Sequence, residues 1–156
     1  MTGLNRAIFT LGTGTRTRAE FISLLERLEV KVVVDVRRFP TSRFEHFKKE
    51  KLAKSLSEAG VRYCDLGAEL GGYRKEGYRN FMTSGEFLCG LEKLYNIAQA
   101  RKTTIICAEK LPWRCHRRFI AEELEKQDWS VTHVIDEEHN WTPKTKSSEP
   151  ALVKHA

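Results

Sequence analysis

No stretch of this 156-residue chain is long and apolar enough to cross a membrane; its most apolar run, Val32-Val-Val-Asp-Val36, is broken by an acid. The segment Met1 to Phe9 lacks the apolar core of a signal peptide, so a cytoplasmic protein without a membrane partner is the expectation. No internal repeat is visible, which excludes a solenoid or array. The four cysteines, Cys64, Cys89, Cys107 and Cys115, show no paired Cys-x-x-Cys spacing. In a reducing compartment they are expected as free thiols and not as a disulfide framework. Cys89 falls within an apolar helical pattern and is expected in the core.

What is present suits one ordinary domain. With 40% hydrophobic and 31% charged residues, the chain can bury a core of its own. The net charge is +6 and unevenly spread. Residues 37–54 carry Arg37, Arg38, Arg43, Lys48, Lys49, Lys51 and Lys54 against Glu45 and Glu50, a local excess of +5. A solvated helix face accounts for part of this; a phosphate-bearing partner, nucleotide or nucleic acid, is the functional reading.

Strand and helix patterns alternate along the sequence. Ala7–Leu11, Val30–Val36, Val61–Asp65, Thr103–Ile106 and Val131–Ile135 read as strands. Thr17-Arg-Ala-Glu20 has capping-box spacing ahead of Phe21, Leu24, Leu25 and Leu28, and Thr83-Ser-Gly-Glu86 repeats it ahead of Phe87, Leu88, Leu91, Leu94, Tyr95 and Ala98. Lys48–Ala59 is a basic amphipathic helix ended by Gly60, and Cys115–Gln127 is the last helix. Leu66–Thr83 reads as a long irregular loop of the functional kind. The alternation predicts a single α/β domain over residues 1–139, with a mainly parallel open sheet and helices on both faces. Residues 140–156, with Pro143 and Pro150, are expected to form a flexible polar tail.

The densest chemistry lies between Cys107 and Arg117, where a strand breaks into a loop that enters a helix. Two thiols, Glu109, His116, Arg114 and Arg117 fall within this stretch, and a helix start beyond a parallel strand is an anion-binding corner. Parallel-strand carboxyl ends share a rim, so Asp35 and Arg37 are expected to join this corner in one site. In an enzyme reading, Asp35, Glu109 and His116 supply acid–base chemistry. Arg37, Arg38, Arg43, Arg114 and Arg117 would meet phosphate, with Cys115 at the helix start. Tyr73 and Arg74, in the Gly71-Gly-Tyr-Arg loop, together with Tyr78 and Trp113, place aromatic rings beside cations, as stacking on bases requires. In a rival reading the chain is a non-catalytic nucleic-acid-binding module whose thiols are structural; Asp35 would then pair with a nearby arginine, and Arg117 with Asp35 or Glu109, as structural ion pairs.

Cys107 followed by Arg114 is similar to the Cys-loop-Arg cradle of rhodaneses and protein phosphatases, which would make Cys107 a nucleophile. The loop has no glycine, contains Pro112 and sets Glu109 near the thiol, where its charge opposes a thiolate. Cys107, Cys115, His116 and His133 are candidate zinc ligands by residue type, but their spacing matches no common zinc signature and no metal is assigned. The cofactor and oligomeric state stay open.

Across residues 7–136 the chain resembles one family, the bacterial and archaeal domain of unknown function 488. The matching pieces are Thr10-Leu-Gly12, Thr15-Arg16, Glu20-Phe21, Val34-Asp-Val-Arg-Arg-Phe-Pro40, Ser42-Arg43 and Leu70-Gly-Gly72. The closing signature is Cys107-Ala-Glu109 through Pro112 to Cys115-His-Arg117, with Ile120-Ala121. The resemblance names no settled activity. The family's first loop usually reads Gly-His-Ser-Thr, whereas this chain has Gly12-Thr-Gly-Thr15. Any catalysis that used that histidine is lost here, which favours binding or catalysis by His116 alone.

Overall fold

The computed structural model describes residues 6–39 and 42–142. Six strands form one sheet: β1 (Ala7–Gly12), β2 (Val32–Asp35), β3 (Arg62–Asp65), β4 (Thr103–Cys107), β5 (Ser130–Val134) and β6 (Asn140–Trp141), in the spatial order β3-β2-β4-β1-β5-β6. The first five run parallel, and β6 pairs antiparallel with β5. Six helices accompany them: α1 (Arg18–Arg27), α2 (Lys49–Glu58), α3 (Gly67–Leu70), α4 (Tyr78–Phe81), α5 (Gly85–Ala100) and α6 (Arg117–Lys126). The fold is the α/β architecture expected from the alternation.

Crossover handedness decides which helix covers which face. The steps β1 to β2 to β3 move toward one edge of the sheet, and β3 to β4 to β5 move back toward the other. Right-handed crossovers in opposite directions lie on opposite faces. One face accordingly joins Leu11, Val33, Ile106 and Val134 to Phe21, Leu24 and Leu25 of α1 and Leu52 and Leu56 of α2. The other joins Ile8, Val32, Val34 and Ile105 to Phe87, Leu91 and Leu94 of α5 and Ile120 and Leu124 of α6. Each such side chain, fully buried, contributes about 1.5–3 kcal/mol of transfer free energy. The direction reverses between β4 and β1, and the crevice beyond their carboxyl ends, where Gly12 pairs with Cys107, is where an open α/β sheet holds a ligand.

Local signals held at α1: the Thr17 hydroxyl accepts from Glu20 N, and the Glu20 carboxylate accepts from Thr17 N. At α5 the cap is Ser84, which accepts from Phe87 N, while the Thr83 hydroxyl turns back to Asn80 O. Cys89 is exposed, not in the core, and Leu88 is also exposed. The buried stripe of α5 runs through Phe87, Gly90, Leu91, Leu94 and Ala98, and both residues fall beside it. The segment read as irregular contains the short helices α3 and α4. Asn140–Trp141 form β6 where the sequence places the start of a tail; residues 143–156 lie outside the described residues. Among the described residues no helix is long and apolar enough to cross a membrane.

Candidate thiol site at the β1–β4 crevice

Cys107 is the last residue of β4, and its side chain points to the α5–α6 face together with Ile105. The chain then loops through Ala108–Leu111, where the Glu109 carboxylate accepts from Leu111 N at 3.0 Å. Pro112 opens a single 3-10 turn, Pro112–Arg114, its fixed φ suiting that first position. Cys115 follows, and α6 starts at Arg117, two residues later than the sequence pattern implies. Cys115 therefore sits just ahead of the helix, its sulfur accepting from Arg117 N at 3.5 Å.

This path brings the two sulfurs face to face. Cys107 Sγ and Cys115 Sγ are 2.7 Å apart, both buried, with Cys115 the more accessible. The Arg117 guanidinium, with none of its surface exposed, donates to Cys107 Sγ at 2.8 Å, to Glu109 O and to Lys110 O, and through Nε to Thr10 Oγ1 at 3.1 Å. Thr10 in turn bonds Nδ1 of His133 on the neighbouring strand at 2.6 Å. Arg117 thus fastens the loop beyond β4 to β1 while holding a full positive charge against the thiol pair.

The pair shares one proton. The hydrogen bond from Cys107 leads the forces that pull the Cys115 pKa down to about 4, and His116 and Arg117 add to it against the cost of burial. Burial, then the bond to Cys115, pushes Cys107 well above the usual thiol range. One sulfur is therefore a thiolate near neutrality and the other its hydrogen-bond donor. His133 is held neutral, its pKa lowered to about 3 by burial and by Arg117.

His116 faces the same sulfur. Its Nδ1 lies 3.6 Å from Cys115 Sγ, and Nε2 lies 3.0 Å from Val36 O. A carbonyl only accepts, so Nε2 carries the proton and Nδ1 is the nitrogen that faces Cys115 Sγ. The Tyr78 ring, 5.2 Å away centre to centre, and the backbone of Gly72 fix the imidazole; a Cβ on Gly72 would stand 3.2 Å from His116 Nδ1. Gly12 is tighter still. Its absent Cβ would lie 1.9 Å from Glu109 O, so only glycine lets β1 run under the loop.

Asp35 and Arg37 form a second, separate group. Asp35 pairs with Ile106 and so lies on the α1–α2 face, opposite Cys107. Its carboxylate, fully buried, accepts from Arg37 N, from Nε and NH2 of the Arg37 guanidinium, and from the Tyr63 hydroxyl at 2.6 Å. The remaining Arg37 nitrogen donates to Phe47 O. Burial works against the Arg37 charge, but Asp35 outweighs it and raises the pKa. Burial and Asp35 together raise that of Tyr63. The single concave site expected from the shared rim is thus divided: Asp35 and Arg37 face one way, and Cys107, Cys115, His116 and Arg117 the other. The alternation of side chains along a strand is the reason.

The other expected residues spread along the rim. Arg38 donates to Tyr73 O, joining two loops, and Arg74 donates to Gly71 O within its own loop. Arg43 and Arg114 are exposed, with Arg43 lying over the Phe44 ring. The guanidinium on Cys107 comes from Arg117 and not from Arg114, so the loop is no Cys-loop-Arg cradle. Among the described residues no group of three or more His, Cys, Asp or Glu side chains is placed to hold a metal ion, and His133 keeps company with Thr10. Thr10 and Tyr63 were not legible as site residues; for Thr10 the available signals were its place on a buried strand and in the Thr10-Leu-Gly12 piece of the family resemblance.

The searches of curated proteins and of solved structures returned no match. The family model described as "Domain of unknown function DUF488" matches residues 17–124. That span is well over half of the sequence and contains β2 to β4, the thiol loop and most of α6, and the chain belongs to this family.

Proposed function

We propose that the protein is a thiol-dependent enzyme in which Cys115 attacks and Cys107 resolves, reducing a disulfide-bearing substrate. The observation that carries this reading is the 2.7 Å approach of the two sulfurs at a helix start, with a buried guanidinium on one and an imidazole on the other. A helix N-terminus and nearby cations favour a thiolate. In the first step the Cys115 thiolate attacks one substrate sulfur, the substrate S–S bond breaks, and the leaving thiolate takes a proton. In the second, Cys107 attacks Cys115 Sγ, the bond between Cys115 and the substrate sulfur breaks, and the Cys107 proton leaves with that sulfur as a thiol. The substrate gains two electrons, and the protein is left with a Cys107–Cys115 disulfide.

The test is incubation with oxidised glutathione, followed by mass spectrometry of tryptic peptides. The expected product is a Cys107–Cys115 crosslink, with glutathione trapped on Cys115 in Cys107→Ser. Recovery of both thiols unmodified, or trapping on exposed Cys89 alone, refutes the reading.

A second reading, binding of a phosphate-bearing ligand such as a nucleotide or nucleic acid, is favoured by a different observation. Arg38 and Arg74 lie beside the thiol loop's neighbour, Gly72, and neither forms an ion pair with a carboxylate among the described residues. Their charge is available to an anion, whereas Arg37 and Arg117 are occupied inside the protein. Titration with inorganic phosphate and with nucleoside monophosphates by calorimetry tests it, and heat indistinguishable from dilution for all of them counts against it.

A further inference from the structure

Two of the large apolar side chains that the described residues leave in water meet each other. Phe39, 60% exposed, follows β2, and Tyr73, 85% exposed, follows α3; their rings stack at 6.4 Å between centres and 30° between planes. Neither ring is covered by the core. The loops that carry them are nevertheless fastened firmly. Arg38 NH1 donates to Tyr73 O at 2.7 Å, and Gly71 backs onto Arg38 so closely that a Cβ there would stand 2.5 Å from the Arg38 side chain. Tyr73 itself has φ of 59°, a left-handed conformation that a bulky residue adopts at a cost of roughly 1–3 kcal/mol. A free loop would relax that strain, and a ring used for packing would be buried. Here the fastened backbone holds the ring in solvent.

The charge around the rings is positive. The Arg38 guanidinium lies 5.3 Å from the centre of the Phe39 ring. Arg74 is anchored over the Phe81 ring at 3.7 Å by bonds to Gly71 O and Ala68 O, and among the described residues no carboxylate forms an ion pair with it. Burial, and after it the neighbouring Arg38, lower the Arg74 pKa, and Glu86, Tyr78 and Glu76 compensate in part. Flat rings open to solvent, with the Arg38 guanidinium beside Phe39 and Arg74 next but one in the chain to Gly72, offer stacking to a planar group and charge to an anion attached to it. A nucleobase linked to phosphate combines both.

We infer that Phe39 and Tyr73, flanked by Arg38 and Arg74, form a platform for an unpaired nucleobase with its phosphate. This rests on the phosphate-ligand reading above and adds to it the recognition of a base that is not in a duplex. The base stacks on the rings, which a paired base inside a helix cannot do, and the guanidiniums meet the phosphate. The ligand comes either as a free nucleoside monophosphate or as a single strand.

Fluorescence anisotropy with a labelled oligothymidylate at moderate salt separates the possibilities, with thymidine monophosphate, a blunt duplex of equal length and an acidic tyrosine-containing peptide as competitors. Tyr73→Gly removes the ring and suits the positive φ, so folding is retained; Phe39→Ala removes the other ring from an exposed position. Each is expected to weaken oligothymidylate binding by about tenfold, within the range for one base–aromatic stack. The duplex should compete poorly, the Cys115 alkylation rate should be unchanged, and the thermal melt should not fall. Competition by the monophosphate at comparable concentration identifies a nucleotide site; competition by the oligomer alone identifies a single-strand site. If duplex and single strand bind equally and only Arg38→Gln weakens them, the phosphate reading survives and the base platform is overturned. If nothing binds, both fall. If the peptide displaces the oligomer and binds more tightly, the surface serves a protein and the inference is wrong.

Discussion

Arg117 Nε donates to Thr10 Oγ1 while NH1 of the same guanidinium donates to Cys107 Sγ, so one buried side chain ties the first strand to the thiol at the end of the fourth. The charge that favours a thiolate and the bonds that hold the loop in place come from the same residue. Stability and reactivity are therefore coupled here.

Arg117→Ala should lower stability by about 3–5 kcal/mol, because Thr10, Glu109 O and Lys110 O lose a buried charged donor together. The same change should shift the alkylation midpoint of Cys115 upward. Arg117→Lys restores a charge but not the planar fork and should recover part of each. Urea melts beside the pH dependence of iodoacetamide labelling measure the two effects, and a wild-type midpoint in Arg117→Ala would remove Arg117 from the thiol site.

The Asp35–Arg37–Tyr63 group should behave as structure. Asp35→Ala leaves a buried guanidinium unpaired and should cost about 3–5 kcal/mol. Tyr63→Phe removes one hydrogen bond to a carboxylate and should cost about 1.5–3 kcal/mol. Labelling of Cys115 in Tyr63→Phe at neutral pH should match that of the parent, since the group lies on the other face of the sheet. A changed labelling rate would show that the two faces communicate.

Labelling itself should be selective. Cys115, with a pKa near 4, should react with iodoacetamide at a rate nearly independent of pH between 6 and 8, while Cys107 should stay slow throughout. Cys115→Ser removes the fast phase, and loss of the fast phase in Cys107→Ser as well would show that the thiolate requires its partner. A rate that rises tenfold per pH unit across this range would mean that the thiolate is absent.

His133 sets an acid limit. Its folded pKa of about 3 lies below the 6.5 of the free side chain. Between those values the unfolded chain binds a proton that the folded protein refuses, so stability is lost as pH falls from about 6.5 toward about 3. The Cys115 thiolate adds a slope of the same sign above pH 4, so the informative quantity is the difference from a variant. His133→Gln should flatten the acid side of the stability–pH curve, and an unchanged curve would mean that His133 is protonated in place.

Two glycines should respond with opposite signs. Gly12→Ala drives a methyl into Glu109 O and should destabilise by about 1–3 kcal/mol or more while disturbing Cys115 labelling. Gly85→Ala, in the first turn of α5 with nothing within 4 Å of the new carbon, should raise stability by up to about 1 kcal/mol. Thermal melts decide both.

The local signals in the sequence were sufficient for the elements. Val32–Asp35 is β-branched and apolar, Thr17-Arg-Ala-Glu20 supplies both halves of a capping box, and alternation of strands and helices admits little besides a mainly parallel sheet. The mixture between Cys107 and Arg117 also pointed to the corner proposed as the site, because reactive groups seldom cluster without use. Only the tertiary structure decided how those groups pair. Strand periodicity sends Asp35 and Cys107 to opposite faces, but which strands are neighbours, and hence which side chains meet, follows from crossover direction and long-range packing. Thr10, His133 and Arg117 stand far apart in sequence and join only when β1, β5 and α6 are assembled. The same holds for Phe39 and Tyr73, whose contact depends on the Gly71-Gly72 turn closing on Arg38. Sequence carries propensity over a few residues; the partner of a buried charge or thiol is fixed by the whole chain's packing.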